Sequence, residues 1–421
     1  MANEENETLV PKLRFPAFRK TKGWRIATLA SVLTEERLTS DGKSEVHSVS
    51  LTKGVVPQIE HMGRSFSASD TSHYSLVRPF DVIYTKSPLA IFKLGIVKQH
   101  RGPHNAIVSP LYGVFTPVNR YVGQLIEAYF DSPSRSMNYL DPLCQKGAKN
   151  TIQISNNRFL SGEICLPSEP AEQQKIASFL TSLDELIAEQ SRKVDSLREH
   201  KRGLMQQLFP REGETQPRLR FPEFQDSGDW EEKRLDQLVD FQSGGTPTKA
   251  IPSYWNGAIP WVTAKDMKQL FLVDTEDHIS SAAVADGAKL VPSQTLLMLI
   301  RGMTLLKDVP ICVLMREMSF NQDVKALRPK EGVDSCFLAW LLTASKQRFL
   351  EMVSVAGHGT GKLDTDEVKA IVLSIPSPDE QQYIASCLSS LDDLISAAVQ
   401  KIEALRTHKR GLMQQLFPSP E

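Results

Sequence analysis

The sequence predicts a mixed α/β protein of the α+β type: two sheet-containing domains separated by two long helices. The helices pair within the chain as an antiparallel coiled coil, giving a duplicated, pseudo-two-fold architecture. Three observations carry this. The stretch "HKRGLMQQLFP" at His200–Pro210 returns letter for letter at His408–Pro418. It closes a longer gapless match of Glu172–Pro210 with Glu380–Pro418, at a shift of 208 residues, and both copies carry apolar residues at alternating four and three spacing.

A second repeat opens each half. "PKLRFPAF" at Pro11 and "PRLRFPEF" at Pro217 are each followed by a tryptophan, Trp24 and Trp230, at a shift of 206 residues. A period this long exceeds the ~20–50 residues of a solenoid unit and marks a duplicated domain pair. The boundaries read as a first domain over residues 1–167, a helical segment over 168–211, a second domain over 212–376 and a second helical segment over 377–421. In the first domain "RPFDVIYTK" and "NAIVSPLYGVFTP" read as strands and "QLIEAYFDSP" as a helix. The first seam comprises Ile176, Leu180, Leu183, Ile187, Val194, Leu197, Leu204 and Leu208, with Gln190 and Lys201 at its two polar positions. In the second domain "GAIPWVTAKDM" and "VPICVLM" read as strands and "SCFLAWLLTASKQRFLEMV" as one helix, and a flexible turn at "GHGTGKL" precedes a final strand at Val368–Ile375. The second seam comprises Ile384, Leu388, Leu391, Ile395, Ala398, Ile402, Leu405, Lys409, Leu412 and Leu416. Both helices are expected to begin near "PSEPAEQQ" and "PSPDEQQ", with Glu172 and Glu380 favouring the positive helix N-terminus, and to stop at Pro210 and Pro418. About 37 residues at ~1.5 Å each make a rod of ~55 Å, the span of ~16 base pairs of B-DNA.

Composition narrows the function. Hydrophobic residues at 41% and charged residues at 24% are ordinary globular values. Lys plus Arg number 49 against 50 for Asp plus Glu, so the chain lacks the basic excess of a protein that holds nucleic acid by charge alone, and a partner is expected to help. The opening "MANEENETLV" is acidic, and aliphatic runs such as "LLMLI" at Leu296–Ile300 fall far short of a membrane span, which points to the cytoplasm and no membrane partner. The five cysteines, Cys144, Cys165, Cys312, Cys336 and Cys387, have no CxxC spacing, so no zinc site is signalled. "GHGTGKL" fails as a phosphate loop, because Ala356 stands where the first glycine belongs and Leu363 where a hydroxyl belongs. "FQSGG" at Phe241–Gly245 lacks a dinucleotide fingerprint. With no base-methylating Asn/Asp-Pro-Pro-Tyr motif, no HExxH and no nuclease cluster, catalysis by this chain is not expected and no metal or cofactor is assigned to it.

The stretch "FQSGGTPTKAIPSYWNGAIPWVTAKDM", then "LIRGMTLL" and "FNQDVKALRP", resembles in kind and order the target-recognition domain of the specificity subunit of type I restriction-modification systems. "YSLVRPFDVIYTK" and "VSPLYGVFTP" look like another branch of that domain family, and the repeated helices are similar to its two conserved regions. The resemblance implies a non-catalytic subunit whose two domains each read half of a bipartite double-stranded DNA target, with the helices fixing their separation. It also implies two adenine-specific methyltransferase subunits, which carry S-adenosylmethionine, and restriction subunits that use ATP and Mg. Directional donors and acceptors read bases, so the candidates in the second domain are Thr246, Thr248, Lys265, Arg301, Asn321, Gln322 and Lys362. In the first they are Lys86, Lys93, Arg101, His104, Asn105 and Lys149, the last within the Gly-Lys turn "QKGAKN" that matches "GHGTGKL". Each has a bland alternative: Gly244–Gly245 shapes a turn, Trp255 and Trp261 fill a core, Asn321 caps backbone. The basic run Arg192, Lys193, Arg198, Lys201 and Arg202 lies along DNA, or else forms a docking surface or a solvated face. Gly203, costly in a helix by roughly 1 kcal/mol against Ala, is expected to admit another backbone. A coiled-coil scaffold or adhesin-like protein with two ligand domains and no DNA role stands as the alternative function.

Overall fold

The computed structural model describes residues 8–146, 152–356 and 359–418. Contacts divide the chain into two compact units, Met1–Gln190 with Lys401–Glu421, and Ser191–Gln400. Each unit therefore holds one sheet domain, the start of one long helix and the end of the other.

In the first unit, Trp24–Thr28 is the centre of a three-stranded antiparallel sheet between Thr8–Leu9 and Glu163–Pro167. Two four-stranded sheets build the rest of the domain. One runs Leu33–Thr34, Gly113–Pro117, Val82–Tyr84, Val97–Gln99, and the other Gly54–Pro57, Glu45–Ser50, Ala106–Val108, Ser75–Val77. The predicted helix is Arg120–Phe130, started by Asn119, whose side chain accepts from the backbone N–H of Tyr121 and Val122. Its buried Leu125, Ile126 and Phe130 join Trp24, Phe115 and Phe159 in one core, which Ile176, Leu180 and Leu416 of the long helices and Phe417 just beyond complete. Trp24 meets Phe417 edge to face at 5.6 Å.

The second unit is built on a five-stranded sheet ordered Val239–Ser243, Val324–Pro329, Leu296–Leu299, Ile311–Leu314, Phe271–Leu272. Leu296–Leu299 and Ile311–Leu314 read as unbroken apolar runs because both of their faces are buried. A second sheet orders His278–Ile279, Ile259–Val262, Met318–Phe320, Leu290–Val291. Helix Ser335–Ala344, capped by Asp334, buries six consecutive residues from Phe337 to Leu342. The single helix expected here breaks at Ser345 and resumes as Lys346–Glu351, since Ser345 leaves helical geometry at φ −88°, ψ 6°. The expected strand Val368–Ile375 is also corrected. Thr365–Ala370 is a short helix capped by Asp364, whose carboxylate takes the N–H of Asp366 and Glu367, and the strand is Val372–Ile375, paired with Glu231–Arg234.

The repeated letters build the same joint in both units. Arg14 of "LRFP" donates from Nε and Nη2 to the two carboxylate oxygens of Glu172, both at 2.7 Å, and Trp24 Nε1 donates to Oε1 at 3.4 Å. Arg220 forks Glu380 in the same way at 2.8 and 2.7 Å, with Trp230 Nε1 at 3.4 Å. Glu172 and Glu380 are buried, so their role is to hold this fork rather than to complement a helix dipole at the surface. The next letter works alongside. Gln173 Nε2 donates to Pro167 O and Gln381 Nε2 to Pro376 O, while their Oε1 atoms accept from Asn119 Nδ2 and from the backbone N–H of Asp334, the caps of the two core helices. Leu13 N–H donates to Gln415 O, and Leu219 N–H to Gln207 O, each at 3.0 Å.

The long helices span Pro170–Leu208 and Pro378–Leu416, starting two residues before Glu172 and Glu380 because proline suits a first helical position. In the first unit Ile176 and Leu180 share a core with Met413, Leu416 and Phe417, and Asp184 further along meets Lys409 further back, at 2.6 Å. In the second, Ile384 and Leu388 share a core with Leu208 and Phe209, and Asp392 pairs with Lys201. Within each unit the helix segments are thus antiparallel. A Cβ added at Gly203 or at Gly411 would meet nothing within 4 Å among the described residues, so neither glycine admits a second backbone of this chain.

Candidate nucleic-acid interface

In the second unit one end of the domain gathers most of the predicted readers. Gly244 fits there because a Cβ would collide with the backbone carbonyl of Asn321, and Gly245 N–H donates to Phe320 O. Two indoles fix the following loop from beneath: Trp261 Nε1 donates to Gly245 O at 3.1 Å and Trp255 Nε1 to Thr248 O at 3.2 Å, with the rings edge to face at 4.8 Å. Trp261 is a core residue and Trp255 is half-buried against it, and both have a polar task that a core-or-platform choice does not capture. Thr246 hydroxyl then bonds the Gln322 side chain, and Asn321 Oδ1 accepts from Asp323 N–H. Asp323 O in turn accepts from the N–H of Ile300 and Arg301.

Arg301 pairs across from Lys362 in the strand register, in a small sheet of Arg301–Gly302, Thr360–Lys362 and Ser354–Ala356. Residues opposite each other on an antiparallel pair share a face. Arg301 and Lys362 are exposed and form no ion pair among the described residues. The Gly-Lys turn is therefore part of a hairpin, with residues 357–358 outside the described residues. Thr246, Arg301, Asn321, Gln322 and Lys362 come together, and Thr248 borders them while accepting from Ala250 N–H. Lys265 follows strand Ile259–Val262 but is held by Asp277 at 2.8 Å and Glu276 at 3.1 Å, which raise the hold on its proton.

The first unit divides its candidates. Lys86 and Lys93 lie in the loop joining Val82–Tyr84 to Val97–Gln99, while Arg101, His104 and Asn105 leave the far end of that hairpin. Lys86 sits at φ +57°, a strained conformation for a lysine; partial burial pulls its ammonium pKa down against the opposing effect of Glu35. Lys93 is exposed. Arg101 donates to Glu127 at 2.8 Å and lies 3.8 Å from Asp184. Glu127 also meets the buried Lys98 at 3.3 Å, and Lys98 meets Asp131 at 2.5 Å. The loop beyond Arg101 wraps the buried imidazole of His100, whose Nε2 bonds His104 O at 2.8 Å. His104 and Asn105 are exposed. Lys149 lies outside the described residues.

On the helices Ile176, Leu180, Val194, Leu208, Ile384, Leu388, Leu391, Ile395, Ile402 and Leu416 are buried, and Leu183, Ile187, Leu197, Leu204, Leu405 and Leu412 are half-buried. Arg192, Lys193, Arg198 and Arg202 are exposed, whereas Lys201 is drawn inward by Asp392. Among the described residues no cluster of His, Cys, Asp or Glu is arranged to hold a metal ion, and no helix is long and apolar enough to cross a membrane. Burial pushes the thiol of Cys165 up to about 12, and that of Cys312 likewise, so both are inert.

Parts of the chain are similar to known proteins. Residues 227–406 match the model of the type I restriction modification DNA specificity domain. The chain is 27% identical over 202 residues to the Escherichia coli type I restriction enzyme EcoR124I/EcoR124II specificity subunit, covering 46% of this chain and 50% of that one. It is 30% identical over 197 residues to the MjaIX specificity subunit of Methanocaldococcus jannaschii, covering 45% and 44%. The chain spans about half the length of these curated relatives. In fold it is similar to the type I restriction-modification S subunit from M. genitalium, with a TM-score of 0.59 at 14% identity over 98% of this chain and 100% of that one. A chain solved in work on assembly of the type I R-M system gives 0.55 at 17% identity over 94% and 98%. Residues 227–406 are thus similar to a type I restriction modification DNA specificity domain, and the fold along the chain is similar to that of a type I restriction-modification S subunit.

Proposed function

We propose that this chain selects the DNA sequence for a type I restriction-modification complex and performs no chemistry itself. The observation that carries the reading is the pairing of an identical scaffold with unlike loops. The Arg–Glu–Trp fork and the Gln latch recur residue for residue. The loops they support present Thr246, Arg301 and Gln322 in one unit, and His104 and Asn105 in the other. A chain that reads two unlike half-sites needs this combination. The proposal extends to partners: two methyltransferase subunits, which bring S-adenosylmethionine, dock on the repeated helices, and restriction subunits bring ATP and Mg. The complex works in the cytoplasm. The helices set the spacing between half-sites, and the exposed Leu186 and Leu394, equivalent in the repeat, support two matching docking faces.

The test is the adenine methylome of cells expressing the chain with its methyltransferase. Expected is methylation at one bipartite motif, lost without the chain. Substituting Arg301 or Gln322 alters one half of the motif and substituting Asn105 the other. Methylation whose motif is unchanged by deleting the chain overturns the proposal.

A further inference from the structure

Residues 58–66 of the first domain carry three large apolar side chains in the open: Ile59 is 57% exposed, Met62 51% and Phe66 57%. Nothing in the sequence pattern marks them, because they lie in a polar stretch without period. The segment is nevertheless ordered. Helix Gln58–Met62 ends at Gly63, φ +74°, whose N–H returns to Ile59 O at 2.8 Å. The Gln58 side-chain carbonyl accepts from Phe66 N–H at 2.8 Å and from the Ser65 hydroxyl, which also bonds Ser67. The Arg64 guanidinium stacks over the Phe66 ring at 4.6 Å and has no carboxylate partner among the described residues. A fixed loop that holds an aromatic ring out of the core and an unpaired cation beside it is prepared for a ligand.

Strand pairing decides which ligand. Pro57, just before the segment, lies opposite His47, and Glu45 lies beside Ala106 in a parallel pair. The start of Glu45–Ser50, the end of Gly54–Pro57 and the start of Ala106–Val108 are therefore at one end of the sheet. That end carries the loop of His104 and Asn105; the rings of His47 and His100 meet there at 5.8 Å. We propose that residues 58–66 are a DNA-contacting element of the first domain, in which Phe66 and Arg64 reach the bases of its half-site beside His104 and Asn105. This rests on the DNA-recognition reading above. The chemistry fits duplex DNA: an exposed ring contacts a thymine methyl or wedges at a base step, and an arginine beside it reads guanine. Residues 58–67 carry one carboxylate, Glu60, against one arginine, Arg64, so the segment itself has no net negative charge, while Glu45 lies at the same end of the sheet.

The experiment uses the full chain bound to its methyltransferase and two duplexes, one with the complete target and one with the first half-site scrambled. For Phe66→Ala and Arg64→Ala we expect at least about tenfold weaker binding to the complete target and unchanged binding to the scrambled one, with Phe66→Leu intermediate. Equal weakening on both duplexes removes base contact and overturns the proposal. Unaltered DNA preference with loss of methyltransferase co-purification assigns the surface to a protein and also overturns it. A wild-type complex that fails to distinguish the duplexes overturns the recognition reading instead, and this inference with it.

Discussion

Lys409 and Lys201 are the same residue of the repeat, yet they end against different walls. In the first unit Lys409 pairs with Asp184, which Arg101 approaches, and from there Glu127, Lys98 and Asp131 continue a charged chain into the sheet domain. In the second, Lys201 pairs with Asp392 and lies 4.3 Å from the face of Trp340, whose Nε1 donates to Ser389. The joint that anchors each domain to the helices is kept, and the surface the domain turns toward them is free to vary. Duplication here preserves attachment while the attached parts diverge.

The largest expected effect tests what the units share. Glu172→Ala leaves Arg14 and the Trp24 N–H buried without this acceptor, and Glu380→Ala removes it from the half-buried Arg220 and the buried Trp230. Breaking a buried pair by removing one partner costs about 3–5 kcal/mol. Hydrogen exchange read by peptide should lose protection in the first unit for Glu172→Ala and in the second for Glu380→Ala, by similar amounts. A loss confined to one of the two variants would mean the fork is structural in one unit and incidental in the other.

The second effect tests what they do not share. His100 is buried in the first unit, burial lowers its pKa, the neighbouring His47 lowers it further, and Asp81 and the bond to His104 O oppose that. A histidine whose folded pKa is depressed contributes stability that is present above its unfolded value near 6.5 and is lost as pH falls through the folded value. Protection in the first unit should therefore decline on acidification below about pH 6.5. His100→Gln, which keeps a donor for His104 O and cannot titrate, should flatten the decline, while His100→Leu should cost about 1–3 kcal/mol at neutral pH. An unchanged acid slope in His100→Gln would place the sensitivity elsewhere.

The difference between units also explains what could be read from the letters alone. Repetition made the two-fold plan, the helix bounds and the seam legible, because a packed helix must repeat its apolar face. Repetition likewise marked "LRFP", the tryptophan and "EQQ" as a set, though not that they converge, since a buried fork joins residues about 150 positions apart. The non-repeated loops were legible only as residue types. Arg101 and Lys265 qualify by type, but carboxylates distant in sequence, Glu127 and Asp277, engage them. Phe66 and Arg64 went unread because exposure, unlike burial, leaves no period. The Val368–Ile375 strand failed for a local reason: Asp364 caps a helical turn that an aliphatic run conceals.

The smallest effect sharpens the comparison at the two lysines themselves. Lys201→Met removes a partly exposed pair and a cation–π contact, and a double-mutant cycle with Trp340→Leu should return about 0.5–1 kcal/mol of coupling. The equivalent cycle in the first unit, Lys409→Met with Arg101→Met, runs through Asp184, which both cations address. Two cations that share one carboxylate compete for it, so each becomes more valuable when the other is removed, and the coupling there should have the opposite sign. Chemical denaturation of the four single and two double variants reads both terms. Like signs would show that the repeat imposes one energetic role on its lysine; opposite signs show that the domain facing it decides.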